Sequence, residues 1–292
     1  MKIILVALDL EAGSDAVLSR AVQLATAHAA RLVVLHAVAT DTLPDAAHVS
    51  GHTKINLRDL IRQQTHTTVD TLLIERGRTR RSEVRIEFGL PHEIITRVAG
   101  ELSADLVVIG ANKGRSLREK VLGSTADRVI RTSPAPILVV KARSVAPYRQ
   151  IAVAVDFSTQ SEAAAKEARK LAPEARLQLV HVIDIPLTFE QALRHTGTSQ
   201  AELEEYRSAR AARARHELSA FAQRGELGEV VIRDLEGDAG PALVRLSRRR
   251  NVDLLSLGPH GRGIVLSILL GSVTQRVLRE AACDVLVAST RQ

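Results

Sequence analysis

With 292 residues the chain is too long for one ordinary compact domain and comfortable for two, each able to bury its own core. Aromatics make up only 2% and Trp is absent, so the 45% apolar content rests on Val, Leu, Ile and Ala, which suits buried parallel strands covered by helices. A single cysteine, Cys283, excludes an internal disulfide and a cysteine zinc cluster, and no apolar run approaches the roughly 20 residues of a membrane span, while the net charge of +7 leaves anionic partners open.

The first strand is expected over Ile3–Asp9 (IILVALD). A chain that starts directly on the strand-like KIILVAL and carries one cysteine reads as cytoplasmic. The following AGSD, Ala12–Asp15, lacks the paired glycines of a pyrophosphate loop, and its Ser14 is expected to cap a helix over Asp15–Ala30. The second strand covers Val33–Val38, with His36 read as a hydrogen-bonded core histidine. His48 and His52 are four apart, but Gly51 lies between them in a loop-like stretch with no third ligand, so no metal site is expected. ADLVVIG, Ala104–Gly110, is a buried strand, and the terminal strand of this half is expected over Ile137–Lys141. GANKGRSLREKVLGST follows Gly110, but a Walker loop would need one more residue and Lys in place of Arg115.

After Ala142–Arg149, an aperiodic stretch with Pro147 that reads as a linker, the pattern repeats. IAVAVD, Ile151–Asp156, repeats the first strand with the acid in the same terminal place. A helix is expected over Ser161–Leu171 and a strand over Gln178–Ile183, again with a histidine, His181. VDLLSLG from Val252 matches ADLVVIG, and LGSVTQRVLREAACDVLVA from Leu270 matches LGSTADRVIRTSPAPILVV from Leu122. The spacing of matched residues drifts by a single position between Asp9/Asp156 and Gly123/Gly271. Each half therefore reads as strand and helix in alternation, a five-stranded parallel sheet with crossover helices: domain one over 1–141, a linker over 142–149 and domain two over 150–292.

The chemistry-bearing string lies in the second half, where the strand Asp253–Gly258 opens onto GPHGRGIVLSILLGSV. Gly258 and Gly261 have two residues between them, nine more precede Gly271, and Ser272 follows. Glycines there permit close backbone approach and positive φ, so amide N–H groups can converge on phosphate oxygens. Gly271-Ser272 is expected to open a helix whose unpaired N–H groups favour an anion.

This string, with Asp156 and the HVID stretch His181–Asp184, resembles the ATP-binding signature of the universal stress protein family, and the likeness runs over the whole chain twice. The resemblance implies two tandem doubly wound α/β domains, Rossmann-like and close to the adenine nucleotide alpha hydrolase class, with strand order 3-2-1-4-5 in each. Asp156 and Val182 would contact adenosine, Leu257 and Gly258 would lie beside it, and Gly261, Gly271, Ser272 and Val273 would surround the phosphates. ATP or a related adenine nucleotide is the implied ligand, with Mg or Mn as its companion ion. The two terminal strands, Ile137–Lys141 and Val285–Ala288, are expected to pair across the halves, making one chain an intramolecular pseudo-dimer that leaves further association open. In the first half Lys113 stands where the second glycine belongs and Gly114 falls one residue late, so one tight site per chain is expected.

Neither a serine elbow, nor paired carboxylates, nor a Cys-His pair can be assembled, so no catalytic residue is named; Asp9 and Asp156 follow the first strands without the glycine cluster of a dinucleotide fingerprint, so hydride transfer is not expected. The reading is an ATP-binding stress-response protein. Its alternatives are a ligand-free interaction module, or a slow ATPase or self-phosphorylating protein with Ser272 as the nearest hydroxyl. The arginine clusters at Arg76–Arg85, Arg207–Arg215 and Arg245–Arg250 lack aromatic stacking platforms, so they read as solvated helix faces rather than a nucleic-acid interface.

Overall fold

A computed structural model describes residues 1–11, 13–39, 57–77, 81–111, 122–141, 146–185, 188, 191, 195, 199–261 and 270–288. The chain divides into two compact units, Met1–Ala146 and Pro147–Gln292. The first contains β1 (Ile3–Leu8), α1 (Ser14–Ala27), β2 (Arg31–Val38), α2 (Leu57–Glu75), β3 (Ser82–Phe88), α3 (Pro91–Glu101), β4 (Leu106–Gly110), α4 (Ser124–Thr132) and β5 (Ile137–Val140). The second contains β6 (Gln150–Ala154), α5 (Thr159–Leu171), β7 (Arg176–Ile183), α6 (Gln200–Arg224), β8 (Val230–Glu236), α7 (Ala239–Ser247), β9 (Leu254–Leu257), α8 (Ser272–Glu280) and β10 (Asp284–Val287).

Strand order is β3-β2-β1-β4-β5 in the first unit and β8-β7-β6-β9-β10 in the second, all parallel within each unit. Winding therefore reverses between β1 and β4, and again between β6 and β9, and a doubly wound sheet opens its ligand crevice at that point. The central strands are apolar on both faces because helices cover both: Leu106, Val107 and Val108 are fully buried, as are Leu254 and Leu255. Ser256 is buried among them, and its hydroxyl donates to the Ala164 carbonyl at 2.9 Å, which removes the penalty of an unpaired polar group. The β8 edge is only half-buried and carries Arg233 and Asp234, a charged pair that blunts strand-to-strand association.

Each central strand is pinned at its start by the same device. Asp105 Oδ2 accepts from the backbone N–H of Lys2 (2.5 Å) and Ile3 (3.0 Å), and Asp253 Oδ2 accepts from Arg149 (2.8 Å) and Gln150 (2.9 Å). Within the stretch read as a linker, Tyr148 is buried in the second unit, and its phenol donates to Asp284 Oδ2 at 2.6 Å.

Two expectations about α1 are corrected. The helix ends at Ala27 rather than Ala30, because Ala29 turns left-handed (φ 49°) and the Ala30 N–H closes back on Ala25 O at 2.9 Å. Its N-cap is Gly13 (φ 111°), and Ser14 is the first helical residue, its hydroxyl donating to Asp9 Oδ1 at 2.6 Å instead of capping. By contrast α5 is capped by Ser158, whose Oγ accepts from Ser161 N at 3.2 Å, with Glu162 in its first turn and Arg169 and Lys170 in its last. His48 and His52 lie outside the described residues. Among the described residues no helix is long and apolar enough to cross a membrane, and no cluster of three His, Cys, Asp or Glu could hold a metal.

Candidate functional site

In the second unit β6 ends at Ala154, and two residues later Asp156 projects at the winding reversal. Phe157 adopts φ 64°, a left-handed turn that a β-carbon disfavours, and this sends the chain sharply into α5. Ser158 then fixes the carboxylate: Asp156 Oδ1 accepts from Ser158 N at 3.0 Å and from Ser158 Oγ at 2.5 Å. One hydroxyl thus caps α5 and orients the acid.

The glycine loop folds against that acid. A β-carbon on Gly261 would sit 3.0 Å from Asp156 Oδ2, and one on Gly271 would sit 3.3 Å from His260 Cα. Gly271 N donates to Pro259 O at 2.9 Å, and Thr274 Oγ1 donates to Gly258 O at 2.9 Å, so both ends of the glycine string are tied together. Gly258 serves packing: a β-carbon there would lie 2.8 Å from Gln160 Cβ and 3.2 Å from its backbone carbon. None of the three glycines has positive φ, so close approach, and not the left-handed freedom expected from sequence, is what requires them. Of these three, Gly261 is the exposed one.

Gly271 is the N-cap of α8, with exposed Ser272 and half-buried Val273 as the first helical residues. Among the described residues no side chain caps this helix, and no acid lies in its first turn, so its leading N–H groups and positive dipole end suit an anion. Beside it, His260 Nδ1 is buried and has no hydrogen-bond partner among the described residues. Leu257 is buried and holds Ala288 N through its carbonyl at 3.2 Å, a supporting position.

At the end of β7 a groove of about 620 Å³ is lined by Phe157, His181, Val182, Asp184, Tyr206 and Arg210. His181 Nδ1 lies 2.7 Å from Val155 O, which fixes the ring, and Phe157 packs on it at 4.7 Å between centroids. Tyr206 and Arg210, one turn apart on α6 with the guanidinium 5.9 Å from the ring, form a wall that sequence reasoning missed. They lie in a long polar helix without a motif, and only folding brings them to β7.

The first unit repeats part of this arrangement. Leu10 has φ 60°, Asp9 Oδ1 accepts from Glu11 N (3.1 Å) and Ser14 Oγ (2.6 Å), and His36 Nδ1 lies 2.8 Å from Leu8 O. Its α4 also starts uncapped after Gly123, but Asp127 stands in the first turn where α8 has Gln275. That difference was visible in STADR against SVTQR and went unread. Lys113 and Gly114 lie outside the described residues.

Fold and site together define a duplicated, doubly wound α/β domain with a glycine-built crevice at the carboxyl ends of its strands. The sequence profile of the universal stress protein family matches residues 1–141 and again 147–289, and the chain belongs to that family. A universal stress protein of Mycolicibacterium smegmatis is 29% identical over 302 residues, covering 99% of this chain and 97% of the relative. Among solved structures, a universal stress protein from Archaeoglobus fulgidus superposes with a TM-score of 0.69 at 20% identity, covering 98% of both chains. A putative universal stress protein from Pseudomonas aeruginosa gives 0.62 at 19% identity over 99% of this chain and 93% of the other. Both structural likenesses concern the fold.

Proposed function

We propose that the second unit binds ATP, or a closely related adenine nucleotide, and that occupancy regulates the protein as part of a stress response. The observation that carries this is a short chain of close approaches, Asp156 to Gly261 and His260 to Gly271 at the start of α8, where among the described residues the helix has no side-chain cap and His260 Nδ1 no hydrogen-bond partner. Asp156 and Val182 take the adenosine side; Gly261, Ser272 and Val273 meet the phosphates through backbone N–H groups and the Ser272 hydroxyl, while Leu257, Gly258 and Gly271 shape the floor. The site fits the group because it offers donors and a bare backbone surface where phosphate charge would lie. Mg or Mn would arrive on the phosphates, since Mg is commonly held by phosphate oxygens and water with few protein ligands.

Differential affinity between two conformational states is what would make the nucleotide a switch. The pairing of the terminal strands β5 and β10 into an intramolecular pseudo-dimer belongs to the same proposal, and scattering that gives two independently tumbling halves removes it. A cytoplasmic setting fits a chain with the single cysteine Cys283, which is buried, and is checked by fractionation.

Calorimetric titration with ATP and magnesium tests the reading, beside mass spectrometry of nucleotide released from gently purified protein. One tight site per chain is expected. No binding, and no retained nucleotide, would leave the ligand-free interaction module. Saturable turnover lost on Ser272→Ala would favour the slow ATPase or self-phosphorylation reading.

A further inference from the structure

The duplication permits an internal comparison of surface charge. Gly89 and Gly237, both with positive φ ahead of the third helix of their unit, and Asp105 and Asp253 after it, place α3 and α7 in register. In the first unit the arginines here are neutralised within the chain. Arg97 pairs with Glu101 at 2.5 Å, and Arg131 on α4 is held by Asp127 through two bonds of 2.9 and 3.1 Å. In the second unit both arginines persist, as Arg245 and Arg279, and both carboxylates are gone: Arg249 replaces Glu101 and Gln275 replaces Asp127. Arg248 and Arg250 stand in place of Gly100 and Leu102.

All five side chains are exposed, and none has a hydrogen bond or ion pair among the described residues. They are drawn to one end of the unit. Near its start α7 meets α8 where a β-carbon on Gly240 would touch Arg276 Cδ at 2.8 Å; near its end Ser247 Oγ accepts from Ala282 N at 3.1 Å, so the helices run side by side in the same direction. The Arg207–Arg215 run differs, since Arg207, Arg213 and Arg215 pair with Glu204, Glu217 and Asp234. Arg245, Arg248, Arg249 and Arg250 place four like charges within six residues, which is unfavourable. The helix C-termini reward Arg245 and Arg279, but Arg249 and Arg250 lie beyond the end of α7.

We propose that Arg245, Arg248, Arg249, Arg250 and Arg279 form a docking surface for a carboxylate-rich segment of a protein partner. The counter-ion at the matching positions of the first unit is a carboxylate, supplied by the chain itself, and the second unit takes it from outside. Guanidinium forks match that geometry. Membrane insertion and base stacking are disfavoured because the exposed large apolar residues among the described ones, Leu60, Ile74 and Leu90, all belong to the first unit. The surface lies at the opposite end of the sheet from Asp156, so this proposal is independent of nucleotide binding.

The test uses the full chain and a fluorescein-labelled octaglutamate peptide, read by anisotropy. Binding is expected at about 50 mM salt, weakening strongly by about 300 mM as screening shortens the reach of the charges. Arg249→Glu should weaken binding by about tenfold or more, Arg279→Gln by less, and the control Arg213→Glu not at all. Arg249→Glu should leave the melting temperature little changed, since Arg249 lies beyond the end of α7 with an exposed side chain. Three results would overturn the proposal: equal binding by Arg249→Glu and wild type, a melting temperature lowered by that substitution, or preference for a DNA duplex or phosphatidylglycerol vesicles over the peptide.

Discussion

The starts of α4 and α8 are the same structural element used twice, and they differ where an anion would be felt. Both follow a glycine N-cap and neither has a side-chain cap, but α4 carries Asp127 in its first turn and α8 carries Gln275. A fold copied within one chain keeps its strand order, its left-handed residue after the first strand and its pinned strand starts. It also keeps the acid after the first strand, Asp9 and Asp156, while the charge at the helix start diverges. Scaffold and site therefore answer to different constraints, which duplication separates.

The largest expected effect is on Gly261. Gly261→Val should weaken ATP binding by about a hundredfold or more, as two charge-assisted contacts of about 1.5–3 kcal/mol each are displaced, with the melting temperature little changed. Gly258→Val should do the reverse, destabilising the fold by about 1–3 kcal/mol through its clash with Gln160. A thermal melt beside each titration separates the two. If both variants lose binding and stability together, the distinction between crevice and packing glycines fails.

Next in size is the acid. Asp156→Ala should cost roughly ten- to hundredfold in affinity, the loss of one charge-assisted hydrogen bond, while Asp9→Ala leaves the tight site unchanged. Asp156→Asn, which keeps an oxygen to accept from Ser158, shows whether charge or orientation matters. A tight site that survives Asp156→Ala and vanishes with Asp9→Ala would reverse the roles of the units.

Exchanging the helix starts sharpens the comparison further. Gln275→Asp should lower affinity by about two- to fivefold, the effect of roughly 0.3–1 kcal/mol from an acid competing with phosphate at a helix N-terminus. Asp127→Gln should leave the second site untouched. Unchanged affinity in the first variant would place the phosphates away from α8.

Smallest is a pH effect at the β8 edge. The Arg215 guanidinium, hydrogen-bonded to Asp234, holds that carboxyl below the usual aspartate range. The unfolded chain therefore takes up this proton first as pH falls. The pair's contribution is complete above about pH 4 and fades as pH drops through the lowered folded value. Because Arg215 is exposed the effect is small. Urea melts of wild type and Asp234→Asn should differ at neutral pH and converge near pH 2; a constant difference would show that the pair contributes nothing.

Much of this was legible because buried parallel strands write themselves as unbroken Val, Ile and Leu runs, and because a repeat lets each half check the other. Ile151–Asp156 and Val252–Gly258 marked the two strands, β6 and β9, between which the winding reverses. What escaped was decided by contacts between distant segments. The wall of Tyr206 and Arg210 depends on how α6 lies on β7, and the tight approach of Gln160 to Gly258 joins two segments far apart in sequence. The end of α1 escaped for a local reason, since nothing in Ala29 announces a left-handed turn.

The Tyr148 phenol reaching Asp284 bears on where this chain can be cut. Asp284 is fully buried at the head of the last strand, and Tyr148 lies just ahead of the first strand of the same unit. A fragment begun at Gln150 would look complete, with every strand and helix of the second unit, and would deprive a buried carboxylate of the Tyr148 hydrogen bond, at about 1–3 kcal/mol. One begun at Pro147 keeps the bond. The working boundary of this module is thus set by a hydrogen bond to its last strand, a few residues upstream of where its secondary structure begins.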